Sequence, residues 1–233
     1  MRGSSAEWSA QMFIQQCFAV CLKDITSEWK TRYAINAVFM FVLSTVTMIA
    51  ISTMDERITT GIAAGLLWII LFFSAMTGLS KSFVSEEERG TALLLRLSTD
   101  SSAVYVGKLL FNILLTTLLF GIAVLAFFFF VAGVQIQSYG LFLVVFLCGS
   151  IGTASATTLI AAIIAKANAK SALFPVLSFP VVLPLILSGV EAMYQALAGI
   201  AFAEALNNIT IMASYCVVVI TASFLLFDAV WLE

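Results

Sequence analysis

The sequence contains no histidine. That absence removes the usual general base near neutral pH, the commonest transition-metal ligand and the commonest axial haem ligand. Charge is also scarce. Charged residues make up 10% of the chain, against roughly 25% in soluble domains. The net charge of -2, without a basic cluster, excludes a nucleic-acid backbone as partner. Cys17, Cys21, Cys148 and Cys216 show no C-x-x-C spacing, and the first two stand one helical turn apart, so all four read as buried free thiols. No G-x-x-x-x-G-K-[ST] loop is present, so any ATP hydrolysis linked to this chain belongs to another polypeptide. Arg2 is followed by mixed sequence rather than the apolar run of a signal peptide.

What fills the chain instead is apolar. Of its 233 residues 62% are hydrophobic, and twenty Phe face thirteen acidic residues in number. A surface in water cannot accommodate that composition. Each membrane crossing uses about 20 apolar residues, so six crossings use roughly 120 and leave about half the chain for connections. The fold class is all-α: a polytopic membrane protein. The six segments are about 33–51, 61–79, 109–131, 140–165, 172–189 and 209–227. Asp55, Glu56 and Arg57 close the first, Lys108 opens the third, and Lys166 stops the fourth.

Before them, residues 7–30 have helical period. Ile14, Phe18, Leu22, Ile25 and Trp29 share one face, and Gln16, Lys23, Ser27 and Lys30 the other. This predicts an amphipathic helix in the membrane interface, giving an N-terminal unit at 1–32 and a six-span unit at 33–233. Of the eleven Lys and Arg residues, all but Arg57 fall on one side if the N-terminus is cytoplasmic. The basic-inside rule therefore predicts both termini inside.

All three prolines, Pro175, Pro180 and Pro184, lie in the fifth segment, which predicts a broken helix. The stretch 190–208, with Glu191 and Glu204, then reads as a re-entrant or surface helix on the outer side. Small residues crowd 149–157 in the fourth segment, suited to close helix packing within the chain or at a dimer seam. No span carries Lys or Arg between its ends, unlike an ion-coupled carrier.

One large hydrophilic connection remains, residues 80–107. Ser85 followed by Glu86, Glu87 and Glu88 has capping-box spacing. Leu93, Leu94 and Leu97 form an apolar stripe among Arg89 and Arg96, which predicts one short amphipathic helix over 86–97 that fits a partner's groove, where either arginine would pair with acids of that partner, or the membrane surface. Asp100 or Ser102 caps a second helix carrying Tyr105 and Lys108 into the third span.

The runs FVSEEERGTALLLRLSTDSSAVYVGK at 83–108 and FPVLSFPVVLPLILSG at 174–189, on this short chain, resemble the haem exporter protein B family. These are permeases of the cytochrome c maturation ABC transporter, within the type-2 ABC exporters. The resemblance covers about residues 10–231. It implies that the E-x-x-x-G-T segment, here Glu86 or Glu87 with Gly90 and Thr91, is a coupling element against an ATPase subunit. Glu88, Arg89, Leu94 and Leu97 belong to the same candidate surface. Two departures stand out: residue 93 is Leu where an acid is common, and 98–101 lacks the usual proline.

The resemblance further implies a non-catalytic, multi-pass subunit of the bacterial inner membrane with ATP on its partner. Haem would be transported or delivered by the complex rather than held tightly by this chain. The implied partners are the ATPase, haem-handling membrane proteins and a second copy of the chain. ATP use would be linked to release of a haem-loaded periplasmic chaperone. A type-2 permease for lipid, polysaccharide or drug export shares the architecture, and a non-transporting scaffold is a further reading.

Overall fold

The structure is a computed structural model, which describes residues 3–53, 58–80, 82–88, 90–165 and 170–232. Asp55, Glu56, Arg57, Lys81, Arg89 and Lys166 lie outside the described residues. The described residues are helical apart from short connections. In order they form α1 (Gly3–Thr31), α2 (Tyr33–Ser52), α3 (Thr60–Leu79), α4 (Val84–Glu88), α5 (Ala92–Ser98), α6 (Ser101–Phe130), α7 (Tyr139–Ile164), α8 (Lys170–Ala198) and α9 (Phe202–Leu232). Six of these, α2, α3 and α6 to α9, are long and apolar enough to cross a membrane. Exposed Phe39, Met40, Leu125, Phe129, Val217, Val218 and Leu225 give the bundle the apolar outer surface that lipid requires.

The two most enclosed spans are α3 and α7. The small residues of α7 explain its central place. Gly149, Ser150 and the run from Gly152 to Thr158 are buried. A Cβ on Gly152 would meet Leu185 of α8 at 2.7 Å and Cys216 of α9 at 3.2 Å. The stripe therefore packs within the chain. Polar groups in the bundle bond across or along helices: Asn112 Nδ2 donates to Thr158 Oγ1 at 2.8 Å, and Thr116 Oγ1 to the Asn112 carbonyl at 2.7 Å.

The first helix packs by its narrow face. Cys17 and Val20 are buried against α6, while Ile14, Phe18, Leu22 and Trp29 remain exposed, as an interface helix requires. At its end the chain turns at Arg32, whose φ of 50° is left-handed. Glu28 Oε1 accepts from the Ala34 and Ile35 amides at 2.8 and 3.3 Å, capping α2 with a negative group at its positive end.

Two expectations are corrected here. The prolines do not break the fifth span: α8 is one helix through Pro175, Pro180 and Pro184. Pro175 is half-buried and Pro180 and Pro184 are exposed, while Phe174, Ser178, Val182 and Leu185 keep an unbroken buried stripe at helical period. Packing of that stripe outweighs three lost donors, and uncapped backbone would be costlier in an apolar medium. Nor is 190–208 a separate outer helix. Ala192, Met193, Ala196 and Leu197 continue the buried stripe to Ala198. Gly199, at φ 74°, then ends α8, with the Ile200 amide donating back to the Gln195 carbonyl at 3.0 Å. Glu191 is exposed on α8, and Glu204 is exposed in the first turn of α9, where its charge suits the helix dipole.

Candidate functional site

The 82–100 connection folds into two short helices rather than one, and the reason is Gly90. The Glu86-Glu87-Glu88 run ends at a left-handed Gly90, φ 68°. The Gly90 amide donates to the Glu87 carbonyl at 3.2 Å and the Thr91 amide to the Glu86 carbonyl at 3.0 Å. These two bonds are the Schellman closure of a helix end, a position glycine fills without strain. Across the same turn Thr91 Oγ1 donates to Glu86 Oε2 at 2.6 Å. The E-x-x-x-G-T spacing is thus a closed turn. Ser85 is not the N-cap expected from its spacing, because α4 already begins at Val84. Asp100 does take the N-cap position of α6, without a side-chain capping bond.

Glu86 points inward to a charge quartet in which Lys108 and Glu86 are buried, Asp24 is half-buried and Lys23 faces solvent. Lys108, fully buried two turns into α6, donates to Asp24 Oδ2 at 3.0 Å, the Ser82 carbonyl at 2.9 Å and Glu86 Oε1 at 3.4 Å. Those contacts use the three donors of an ammonium group. Lys23 of α1 donates to Glu86 Oε1 and lies 3.2 Å from Asp24 Oδ1. Two cations and two anions balance, which is the condition for burying charge at tolerable cost. The Lys108 ammonium also sits 4.8 Å from the Phe83 ring centre. This quartet ties α1, α4 and α6 together. A side chain on Gly107 would break that arrangement, since its Cβ would lie 2.7 Å from the Cys17 carbonyl oxygen.

Burial by itself would raise the Glu86 carboxyl. The Lys108 charge and the bonds from Lys23 and Thr91 outweigh it, holding the group down at about 2 against an ordinary 4.5. Burial would lower the Lys23 ammonium, but Asp24 and Glu86 together raise it. A depressed carboxyl stabilises the docked loop in its charged form. That contribution is complete above pH 4.5 and is lost as pH falls through about 2. Hydrogen exchange of the 84–98 amides, corrected for intrinsic rates, should stay flat down to pH 4.5 and accelerate below it. Glu86→Gln should remove the acid-dependent step; equal acid sensitivity in both proteins would show another group in control.

A second anchor lies at the other end of the loop. The Arg96 guanidinium sits 4.9 Å from the Trp231 ring centre. Trp231 stacks on Phe227 at 5.6 Å, and Phe83 packs against both rings at 5.8 and 5.7 Å. Arg96 therefore faces α9 of its own chain and not, as the sequence suggested, acids on a partner.

Between these anchors α5 turns its apolar side outward. Leu93, Leu94 and Leu97 are 66%, 68% and 80% exposed, and Ala92 is buried behind them. Glu87, Glu88 and Gly90 are exposed as well. A groove of about 360 Å³ runs between α1 and the loop, lined by Lys23 and Ser27 on one wall and Leu94, Leu95 and Ser98 on the other. Exposed leucines on a helix anchored at both ends are what an interaction face requires. Of the candidate residues, Glu86 and Thr91 hold the loop, while Glu87, Glu88, Gly90, Leu94 and Leu97 are presented by it. The prolines and Glu191 and Glu204 are not brought to it, and Arg89 lies outside the described residues.

Sequence reasoning missed Lys23, Asp24 and Lys108 as one group. Lys108 was placed at the rim of a span. The available signal was Asp100 as a helix cap, since a helix starting at Ser101 carries Lys108 two turns inward.

The family model described as CcmB protein matches residues 15–231. That range includes both anchors and the outward leucines. Among curated proteins no match was found.

Proposed function

Because the chain belongs to the CcmB family, the haem exporter protein B permeases of cytochrome c-type biogenesis, and is a multi-pass membrane protein, we propose that its 82–100 loop is the seat of a separate ATPase subunit. The permease then transmits the work of ATP hydrolysis within a haem-delivery complex. One observation carries this reading: an apolar face on α5 is exposed while the base of the same loop is fixed to α1, α6 and α9. A face that must receive force needs a stiff connection behind it, and buried ion pairs and ring stacks supply one. The product of that work is release of a haem-loaded periplasmic chaperone, with haem as cargo of the complex. Further haem-handling membrane proteins and a second copy of the chain complete the assembly.

The loop face is tested by Leu94→Asp and Leu97→Asp. Each would place a charge at an apolar contact. Both side chains are largely exposed in the chain itself, so the permease should fold normally. Co-purified ATPase should fall by about tenfold or more, and ATP turnover in membranes should fall with it. If both variants keep native complex yield and turnover, the loop is not the ATPase seat.

The same reading places α1, the loop and both termini on the cytoplasmic side of the inner membrane, supported by the asymmetry of Lys and Arg. In a chain without its native cysteines, a cysteine at Gln135 should react with an impermeant reagent from the outside. One at Ser98 should react only after permeabilisation, and the reverse pattern would invert the topology.

A further inference from the structure

The last turn of α9 packs on the Arg96 flank of α5, beside the exposed leucines. It holds the Arg96 end of α5 through a chain of rings. We infer that Trp231 is a positioning residue: its indole sets the angle of α5 through the Arg96 guanidinium, so that the pose of α9 fixes how Leu94 and Leu97 are presented. This rests on the proposed docking of an ATPase on that face.

Three features lead here. First, α5 has seven residues, too few for a helix to hold its own orientation, so something outside it must. Second, its inward contacts are few. Ala92 is buried, Leu95 and Arg96 are half-buried, and the rest of its leucines are exposed. Arg96 is the long side chain among these, and its Nε is buried without a hydrogen-bond partner. The Trp231 ring face is therefore the contact that gives this cation its favourable surroundings. Third, Trp231 is itself held. It is 5% exposed and nearly parallel to Phe227, at 18°. Phe227 packs on Tyr105 of α6 at 5.2 Å, and the neighbouring Asp228 accepts a hydrogen bond from Ser101.

The arrangement converts movement of α9 into rotation of α5. The ion quartet fixes α4 to α1 and α6, with Gly90 between the two short helices as the turn about which α5 can pivot. Arg96 on Trp231 is then the lever arm on the far side of that pivot. A merely space-filling role would need an apolar residue of the right volume. A positioning role needs a π face under a cation.

The experiment uses the full chain without its native cysteines and with a spin label at exposed Ser98, the last residue of α5, alone and in complex with the ATPase. Trp231→Ala and Arg96→Gln should each mobilise the label in the isolated permease. In the complex they should lower kcat for ATP about fivefold, with KM for ATP unchanged because the nucleotide site is elsewhere. Trp231→Phe and Arg96→Lys keep the ring and the cation, and should restore both readings. Trp231→Leu, apolar but without a ring face, should not. A native label spectrum in Trp231→Ala, or equal recovery by Leu and Phe, overturns the proposal. If Leu94→Asp leaves turnover untouched, the docking reading falls, and the label on the isolated permease still decides whether Trp231 positions α5.

Discussion

Replacement of Lys108 by methionine is expected to destabilise the permease by about 3–5 kcal/mol, the cost of leaving buried charge without its partner. The ammonium is fully buried and donates to Asp24, Glu86 and the Ser82 carbonyl. Methionine fills the volume and supplies none of those bonds. Glu86 retains Lys23, whose side chain is 41% exposed, while Asp24 Oδ2 loses the Lys108 ammonium. The melting temperature in detergent should fall by more than about 6 °C. Pairing Lys108→Met with Asp24→Asn should recover much of the loss, because one cation and one anion leave together and the Lys23–Glu86 pair remains. That non-additivity is the signature of a shared network. If the single variant melts like the parent, or the pair is as damaging as the sum of its parts, the quartet does not stabilise the fold.

A comparable loss is expected from adding one methyl group at Gly189. A Cβ there would stand 2.1 Å from Trp68 Cζ2, with two more ring atoms at 2.6 and 2.7 Å. The indole cannot retreat. It is 2% exposed, and on another side its Cη2 lies 3.0 Å from where a Cβ on Gly149 would be. Gly189→Ala should therefore push α8 from α3, destabilising by about 1–3 kcal/mol, and Gly189→Val by more. Trp68→Phe should partly rescue Gly189→Ala by shrinking the ring that collides. Gly121→Ala is the control: open space lies around it, and alanine is the better helix former, so it should be neutral or mildly stabilising. Melting of the single and paired variants reads the result. A Gly189→Ala protein as stable as the parent would show that α3 and α8 are not locked at this contact.

Both predictions turn on residues whose importance was invisible in one dimension. The bland reading of the small-residue stretch at 149–157, packing within the chain, matches the structure because glycine, serine and alanine carry the same meaning wherever helices meet in lipid. Asn112 and Thr116 likewise bond within the bundle. The fifth span went the other way. Proline has a strong local rule, but the rule gives a cost and not an outcome. The buried stripe from Phe174 to Leu197 outweighed that cost over a length the local reading did not sum. The loop was half legible. Its apolar stripe and its glycine could be read, but one helix was expected over 86–97 where a positive φ at Gly90 makes two. Arg96 was read by its charge as a partner for acids, and the structure uses its flat face against Trp231.

The sequence by itself determined that this is an all-helical membrane chain with six apolar spans and an amphipathic first helix. It also determined the family, through local runs of residues. Those properties follow from what the solvent demands of each stretch in turn: length to cross a bilayer, one apolar face for an interface, charge kept to the connections. Only the tertiary structure decided that Lys23, Asp24, Glu86 and Lys108 form one balanced group, that Trp231 reaches α5, and that the leucines of α5 point outward. Each of these depends on distances between helices far apart in the chain. A charge shows its sign in the sequence, but its partner, and therefore whether it is a solvated flank or a buried fastening, is set only when the helices pack.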